Sequence, residues 1–190
     1  MRSTLFALAA TALFATAAHA APATYAIDPT HTFATFEIDH FGASTNRARF
    51  DKKSGTVQFD KAAKTGQVEV VIDMGSVNSG VAGFDRHLKS ADIFNVEKYP
   101  EAKFVSDKFV FDGDKLKEVT GQLTLNGQTH PITIAANKFN CYQSPMLKTE
   151  VCGGDFEATI DRTQWGVNYG TNWGAAKDVR LVLQIEAVKQ

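Results

Sequence analysis

Apolar and polar positions alternate along most of the chain between residues 24 and 188. A period of two is what a strand shows when one side faces a core and the other faces water. The alternation is sharpest in five places. Residues 32–40 set Ala34, Phe36, Ile38 and His40 against Thr35, Glu37 and Asp39, and residues 67–73 set Val68, Val70 and Ile72 against Gln67, Glu69 and Asp73. Residues 122–125 and 129–134 flank Asn126-Gly127, the strongest short hairpin signal because both residues tolerate positive φ. Phe156, Ala158 and Ile160 alternate with Glu157, Thr159 and Asp161; Val179, Leu181, Leu183 and Ile185 alternate with Arg180, Gln184 and Glu186. Weaker strands are expected at 24–27, 45–50, 55–60, 103–111, 115–121 and 134–140, and Asp112-Gly113-Asp114 reads as a tight turn.

One stretch, residues 80–100, breaks the run. Its Phe84, His87 and Leu88 fall at i, i+3 and i+4, which predicts one or two helical turns with an apolar side, and Pro100 ends the excursion. Parallel strands need a crossover between each consecutive pair, and only one such stretch is present, so the sheet is expected to be antiparallel. A single antiparallel sheet of this length must close or fold over to bury its apolar side. When closed it encloses either a core or a hollow. A short helix across one end would plug or gate it.

Composition and the N-terminus narrow the setting. Arg2, an apolar run over residues 5–18 and Ala18-His19-Ala20 before Ala21 predict an export signal over residues 1–20, because about 14 apolar residues fall short of the roughly 20 that span a bilayer. The remaining 170 residues, 21–190, suit one domain. That segment carries 19 of the 20 Lys and Arg residues and all 21 Asp and Glu, a net charge of −2. Mixed signs without a basic stripe argue against nucleic acid as a partner. Cys141 and Cys152 are the only cysteines, and in an exported chain they are expected to form a structural disulfide. Closing a loop of about 12 residues contributes roughly 3 kcal/mol in the chain-entropy model. Ten intervening residues match neither a redox pair nor zinc-ligand spacing.

Several motifs carry a resemblance. Asp85-Arg-His-Leu-Lys-Ser-Ala-Asp-Ile-Phe94 is followed by Tyr99-Pro100 and Phe104-Val-Ser106, and preceded by Ile27-Asp-Pro-Thr-His31, Phe36 and His40-Phe-Gly42. Gly121-Gln-Leu-Thr-Leu-Asn-Gly127, Ile160-Asp-Arg-Thr-Gln-Trp-Gly166 and Asp178-Val-Arg-Leu181 come later. In this order they resemble the YceI-like family of exported polyisoprenoid-binding proteins. The resemblance implies an all-β, elongated, lipocalin-like antiparallel barrel with a short helical segment capping an end. It also implies a long apolar cavity for polyprenyl chains, and a periplasmic location. The chain departs from the family where Phe84 occupies a position that is often Arg, and the Cys141–Cys152 loop belongs to only part of the family.

Candidate tunnel residues are Phe36, Ile38, Phe50, Val70, Ile72, Phe84, Leu88, Phe94, Phe104, Phe109, Phe139, Trp165, Leu183 and Ile185. His31, His40, Arg86, His87 and Arg162 are candidates for the mouth, each also readable as a structural residue. A phosphate head would call for clustered Arg and Lys. Phe84 in the Arg position favours a neutral head such as that of ubiquinone over a polyprenyl phosphate, with Phe84, Trp165, Tyr169 or Trp173 stacking on its ring. No other cofactor is expected. No pair among His31, His40 and His87 has zinc-motif spacing, and no catalytic elbow or phosphate-cradling loop is present, so the chain reads as a binding protein rather than an enzyme. Two alternatives stay open: a structural or adhesive β-sandwich using an exposed Trp165–Trp173 loop as an interface, and a hydrolase acting on an amphiphile. A homodimer and transient membrane contact are both compatible with the sequence.

Overall fold

The computed structural model describes residues 21–190; the expected export signal lies outside the described residues. Strands β1 (Ala23–Ile27), β2 (Phe33–His40), β3 (Ser44–Phe50), β4 (Lys53–Asp60), β5 (Thr65–Asp73) and β6 (Val77–Asn78) lead into helix α1 (Ala82–Lys89). Then follow β7 (Glu101–Asp112), β8 (Lys115–Leu125), β9 (Gln128–Gln143), β10 (Glu150–Asp161) and β11 (Asp178–Lys189). Every pairing is antiparallel.

The sheet closes. Along the order β1-β4-β5-β7-β8-β9-β10-β11, β11 returns to β1 through Tyr25 opposite Lys189 and Ile27 opposite Ala187, making an eight-stranded ring. The first three arms are bent. β1 and β2 lie end to end against β11, β3 and β4 end to end against them, and β5 continues past a single 3₁₀ turn into β6. The barrel is therefore an up-and-down meander of long arms, and closure removes the exposed edges an open sheet would carry. One sheet closed on itself also corrects the sandwich alternative.

Side-chain parity explains what faces where. Ala34, Phe36 and Ile38 of β2 point inward, while Glu37 pairs outside with Arg47 and Arg180, and Arg180 with Glu157, a charged ladder across four strands. Apolar inside and charged outside is the reverse of a transmembrane barrel, whose lipid-facing band is apolar. Phe104 and Phe109 are five apart, opposite parities in a regular strand, yet both point inward. A bulge between Val105 and Lys108 resets the parity. Ser106 pins it: its Oγ accepts from the Lys108 N–H and donates to the Thr120 carbonyl.

At one end lie the β4–β5 turn, the two-residue β7–β8 turn and the β9–β10 hairpin with the Cys141–Cys152 disulfide, which links directly opposed residues. At the other end lie the β2–β3 turn, the Asn126-Gly127 turn with both φ positive, the 162–177 loop and the 79–100 excursion. The expected helical interruption thus sits across one end. Its apolar stripe, Phe84 and Leu88, faces the barrel, and Asn126 Nδ2 donates to the Ile93 carbonyl to hold the following turn down.

Candidate functional site

The interior is not filled. Two adjoining spaces run along the barrel, one of about 410 Å³ beneath α1 and one of about 150 Å³ toward the disulfide end. The larger falls within the few-hundred-Å³ range of small-molecule sites. Ala34, Ile72, Leu123, Leu181 and Leu183 border both, forming a waist between the two lobes. At the waist, Leu183 of β11 lies directly beside Ala34 of β2, with Leu181 on the same wall, and Ile72 of β5 and Leu123 of β8 complete the constriction.

The deep lobe is floored by aromatic rings. Phe59 stacks on Phe111 at 6.2 Å and meets Phe139 edge-on at 5.8 Å. Beneath them Tyr25 is fully buried and donates its hydroxyl to Glu150 Oε1 at 2.6 Å, while Lys61 holds the other carboxylate oxygen. Burial, reinforced by the Glu150 bond, pushes the Tyr25 phenol well above its usual range, and the Lys61 and Tyr25 bonds hold Glu150 low. The carboxylate is thus satisfied from both sides behind Tyr25, away from the cavity lining. Cys152, also on the lining, is half of the disulfide.

The outer lobe opens between α1, the β2–β3 turn and the 162–177 loop. Most polar side chains on its lining belong to this end: Asp39, His40, Asn46, His87 and Arg162. His87 meets the Tyr169 ring edge-on at 4.7 Å, and Tyr169 meets Trp173 at 5.5 Å, so helix and loop touch through aromatic edges. Phe84 occupies the helical position above the opening. Arg162 is only 7% exposed. Its Nε, Nη1 and Nη2 donate to the carbonyls of Ala176, Val167 and Tyr169 at 2.8, 2.9 and 2.8 Å. The guanidinium therefore braces the loop from within rather than presenting a free fork to the cavity. Among the described residues, no group of three or more His, Cys, Asp or Glu side chains converges as a metal site.

Of the fourteen tunnel candidates, thirteen border the two spaces: Phe36, Ile38, Phe50, Phe84, Leu88 and Phe94 the outer lobe, Val70, Phe104, Phe109, Phe139 and Ile185 the deep lobe, Ile72 and Leu183 both. Trp165 does not. It is 1% exposed, packed edge-on to His130 within the main core rather than on a cavity wall, its indole N–H bonded to the Leu123 carbonyl at 3.0 Å. The 165–173 loop is accordingly not exposed throughout: Trp165 and Val167 are buried, while Asn168, Tyr169 and Trp173 are exposed. Of the mouth candidates, His40, His87 and Arg162 border the opening, whereas His31 and Arg86 do not. His31 is tied to Asp28 at the β1–β2 corner, and Arg86 faces outward from α1. Sequence reasoning missed Phe41, Asn46, Met74 and Phe59. Phe59 had a signal in its strand, but Phe41 and Met74 sit in turns, where alternation carries no information.

A family model described as the YceI-like domain matches residues 25–187. The chain is 36% identical to Protein YceI of Escherichia coli O157:H7 over 197 residues, covering all of both chains. It is 35% identical to UPF0312 protein ECA1782 of Pectobacterium atrosepticum, covering all of this chain and 99% of that one. Among solved structures, Burkholderia cenocepacia BcnA superposes with a TM-score of 0.70 at 24% identity, over 84% of this chain and 98% of that one. A polyisoprenoid binding domain from Saccharophagus degradans, implicated in plant cell wall breakdown, superposes at 0.66 and 16% identity, over 89% and 99%. At these identities the two structures show a shared fold.

Proposed function

The chain belongs to the YceI-like family, and from that membership and the shape of its interior we propose that it holds a long-chain isoprenoid lipid, tail inward, in the barrel. The observation that carries this reading is the two-lobed apolar hollow, its lobes adjoining at a shared waist and the outer one entered at the end where the polar side chains gather. The name of the Saccharophagus neighbour, a polyisoprenoid binding domain, supports the ligand class. Binding comes chiefly from burying the tail, at roughly 0.8 kcal/mol per methylene, against about 1 kcal/mol for a head-group hydrogen bond. A carrier or holder needs no more than this, and the lobes offer hydrocarbon walls rather than a nucleophile beside a base.

The head is read as neutral, as in an isoprenoid quinone such as ubiquinone. A phosphate needs cations with free donors, and the one Arg on the lining already donates from three nitrogens to backbone carbonyls. His40, His87 and Asn46 suit carbonyl or hydroxyl oxygens, and Phe84, Tyr169 and Trp173 offer ring faces. The Cys141–Cys152 disulfide and the sequence of residues 1–20 support work in the periplasm; isolation of a periplasmic form beginning at Ala21 is the expected check.

Lipids extracted from natively expressed protein and identified by mass spectrometry should include a neutral prenyl lipid. In a series of analogues with one head and growing tails, affinity should climb steeply with tail length. A ligand population consisting only of prenyl phosphates would overturn the head-group assignment. Equal affinity for short and long tails would overturn the tunnel reading itself.

A further inference from the structure

We propose that the mouth of the barrel docks on a bilayer surface, with Phe41 and Trp173 entering the headgroup region, so that a lipid moves between membrane and tunnel without crossing water. The proposal rests on the tunnel reading above and adds the partner through which the tunnel is loaded.

Three aromatic residues belong to both the cavity wall and the outer surface. Phe41, Tyr169 and Trp173 border the outer lobe, yet they are 58%, 42% and 61% exposed. The backbone presents them outward. Phe41 tips the β2–β3 turn at φ 56°, a conformation rare for a bulky side chain. The turn is fixed by the Gly42 N–H donating to Asp39 Oδ2 at 2.7 Å and the Ala43 N–H to the His40 carbonyl at 3.1 Å. Gly170 and Gly174, at φ 81° and 99°, bracket the 3₁₀ turn that carries Trp173, and the space beside Gly174 adjoins the Phe41 ring. Val81, 61% exposed, is the extended N-cap residue of α1 and adds an apolar side chain at the start of the helix.

A bilayer fits this rim better than a protein does. The exposed rings are the outer lip of the cavity, so a folded partner seated on them would stopper the opening, whereas a membrane presents its own hydrocarbon to it. Trp and Tyr favour the membrane–water interface because one end of each ring is apolar and the other wet. On α1 Arg86 is exposed and Lys89 half-buried, and among the described residues neither makes an ion pair, which leaves both for anionic headgroups.

The two tryptophans make the test direct, because Trp165 is 1% exposed and Trp173 is 61% exposed. Vesicles of phosphatidylcholine with phosphatidylglycerol, carrying brominated acyl chains, should quench and blue-shift Trp173 while Trp165 stays as it is. The substitution V81S should weaken vesicle binding roughly tenfold, and separately the pair R86E and K89E by roughly thirtyfold or more, since two basic residues are lost and two acidic ones added. None of these three side chains borders the cavity, so affinity for a tailed fluorescent probe in vesicle-free buffer should hold. Probe binding with no bromine quenching overturns docking and leaves the tunnel reading intact. Quenching without probe binding overturns the tunnel reading and with it the transfer role. A concentration-dependent dimer that shields Trp173 before any vesicle is added also overturns the proposal, since a second copy then covers the rim.

Discussion

A guanidinium set into a protein wall without a carboxylate must find its partners elsewhere, and Arg162 finds them in backbone. Burial disfavours its charge and lowers its pKa, with Asp161 acting in the opposite sense. Three carbonyls of the 162–177 loop replace the lost water, and the Arg162 backbone adds two bonds, from its own N–H to the Lys177 carbonyl and from the Val167 N–H to its carbonyl. One side chain thus fixes the loop that places Tyr169 at the mouth. Replacing it, R162A, leaves three carbonyls short of a donor and should cost about 3 kcal/mol or more, at about 1 kcal/mol or more each. R162K restores the charge without the planar fork and should recover only part of the loss. Urea denaturation measures the cost, and hydrogen exchange should speed up at residues 166–175 in both variants. From sequence alone Arg162 was a candidate for ligand and for structure alike, because nothing local to it shows that its acceptors lie 5 to 14 residues onward.

At the scale of elements, the alternation of side chains made most strands legible, and the Asn126-Gly127 turn and the helical interruption fell where their residue types placed them. What stayed hidden depends on partners distant in sequence. The bulge at Ser106 is settled by Thr120 on the next strand, and the bend that makes one arm of β1 and β2 is settled by Glu186, whose carbonyl accepts from the Asp28 N–H and the Thr32 hydroxyl. That bend carries a pH-sensitive clasp. Asp28 accepts from the Thr30 N–H and hydroxyl and pairs with His31 at 2.7 Å. Partial burial would raise the Asp28 pKa, but the bonds from His31 and Thr30 outweigh it and bring it from 3.8 to about 2. A depressed folded pKa contributes stability above the unfolded value and loses it as pH falls through the folded one. Stability from this corner should therefore fade between about pH 4 and pH 2. The Asp28 bond raises His31, so its contribution is complete below its ordinary 6.5 and is lost as pH rises through the folded value. Urea midpoints followed across both ranges should flatten in D28N, in which the clasp has no charge to lose. An unchanged acid limb in that variant would place the acid sensitivity elsewhere.

For the whole molecule, the strand pattern determines that a barrel forms but not that it is hollow, because a packed and an empty interior demand the same alternation. The difference lies in how side-chain volumes add up across the ring, and here two apolar spaces remain unfilled on either side of the waist residues. Ala34 is the smallest of them and borders both lobes. With a tail held in the tunnel, affinity should rise with each methylene until the Phe59–Phe111–Phe139 floor stops it. Filling the waist with A34F separates the lobes. The substitution should cost about 1–3 kcal/mol of stability through overpacking, an amount a closed eight-stranded ring is expected to survive. Short tails, which occupy only the outer lobe, should bind A34F much as they bind the parent chain. Longer tails should stop gaining affinity earlier in the series, at the length where they reach the waist. Calorimetry across a tail series reads that breakpoint directly. A breakpoint at the same length in both proteins would mean that the tail never passes Ala34, and that the deep lobe takes no part in binding.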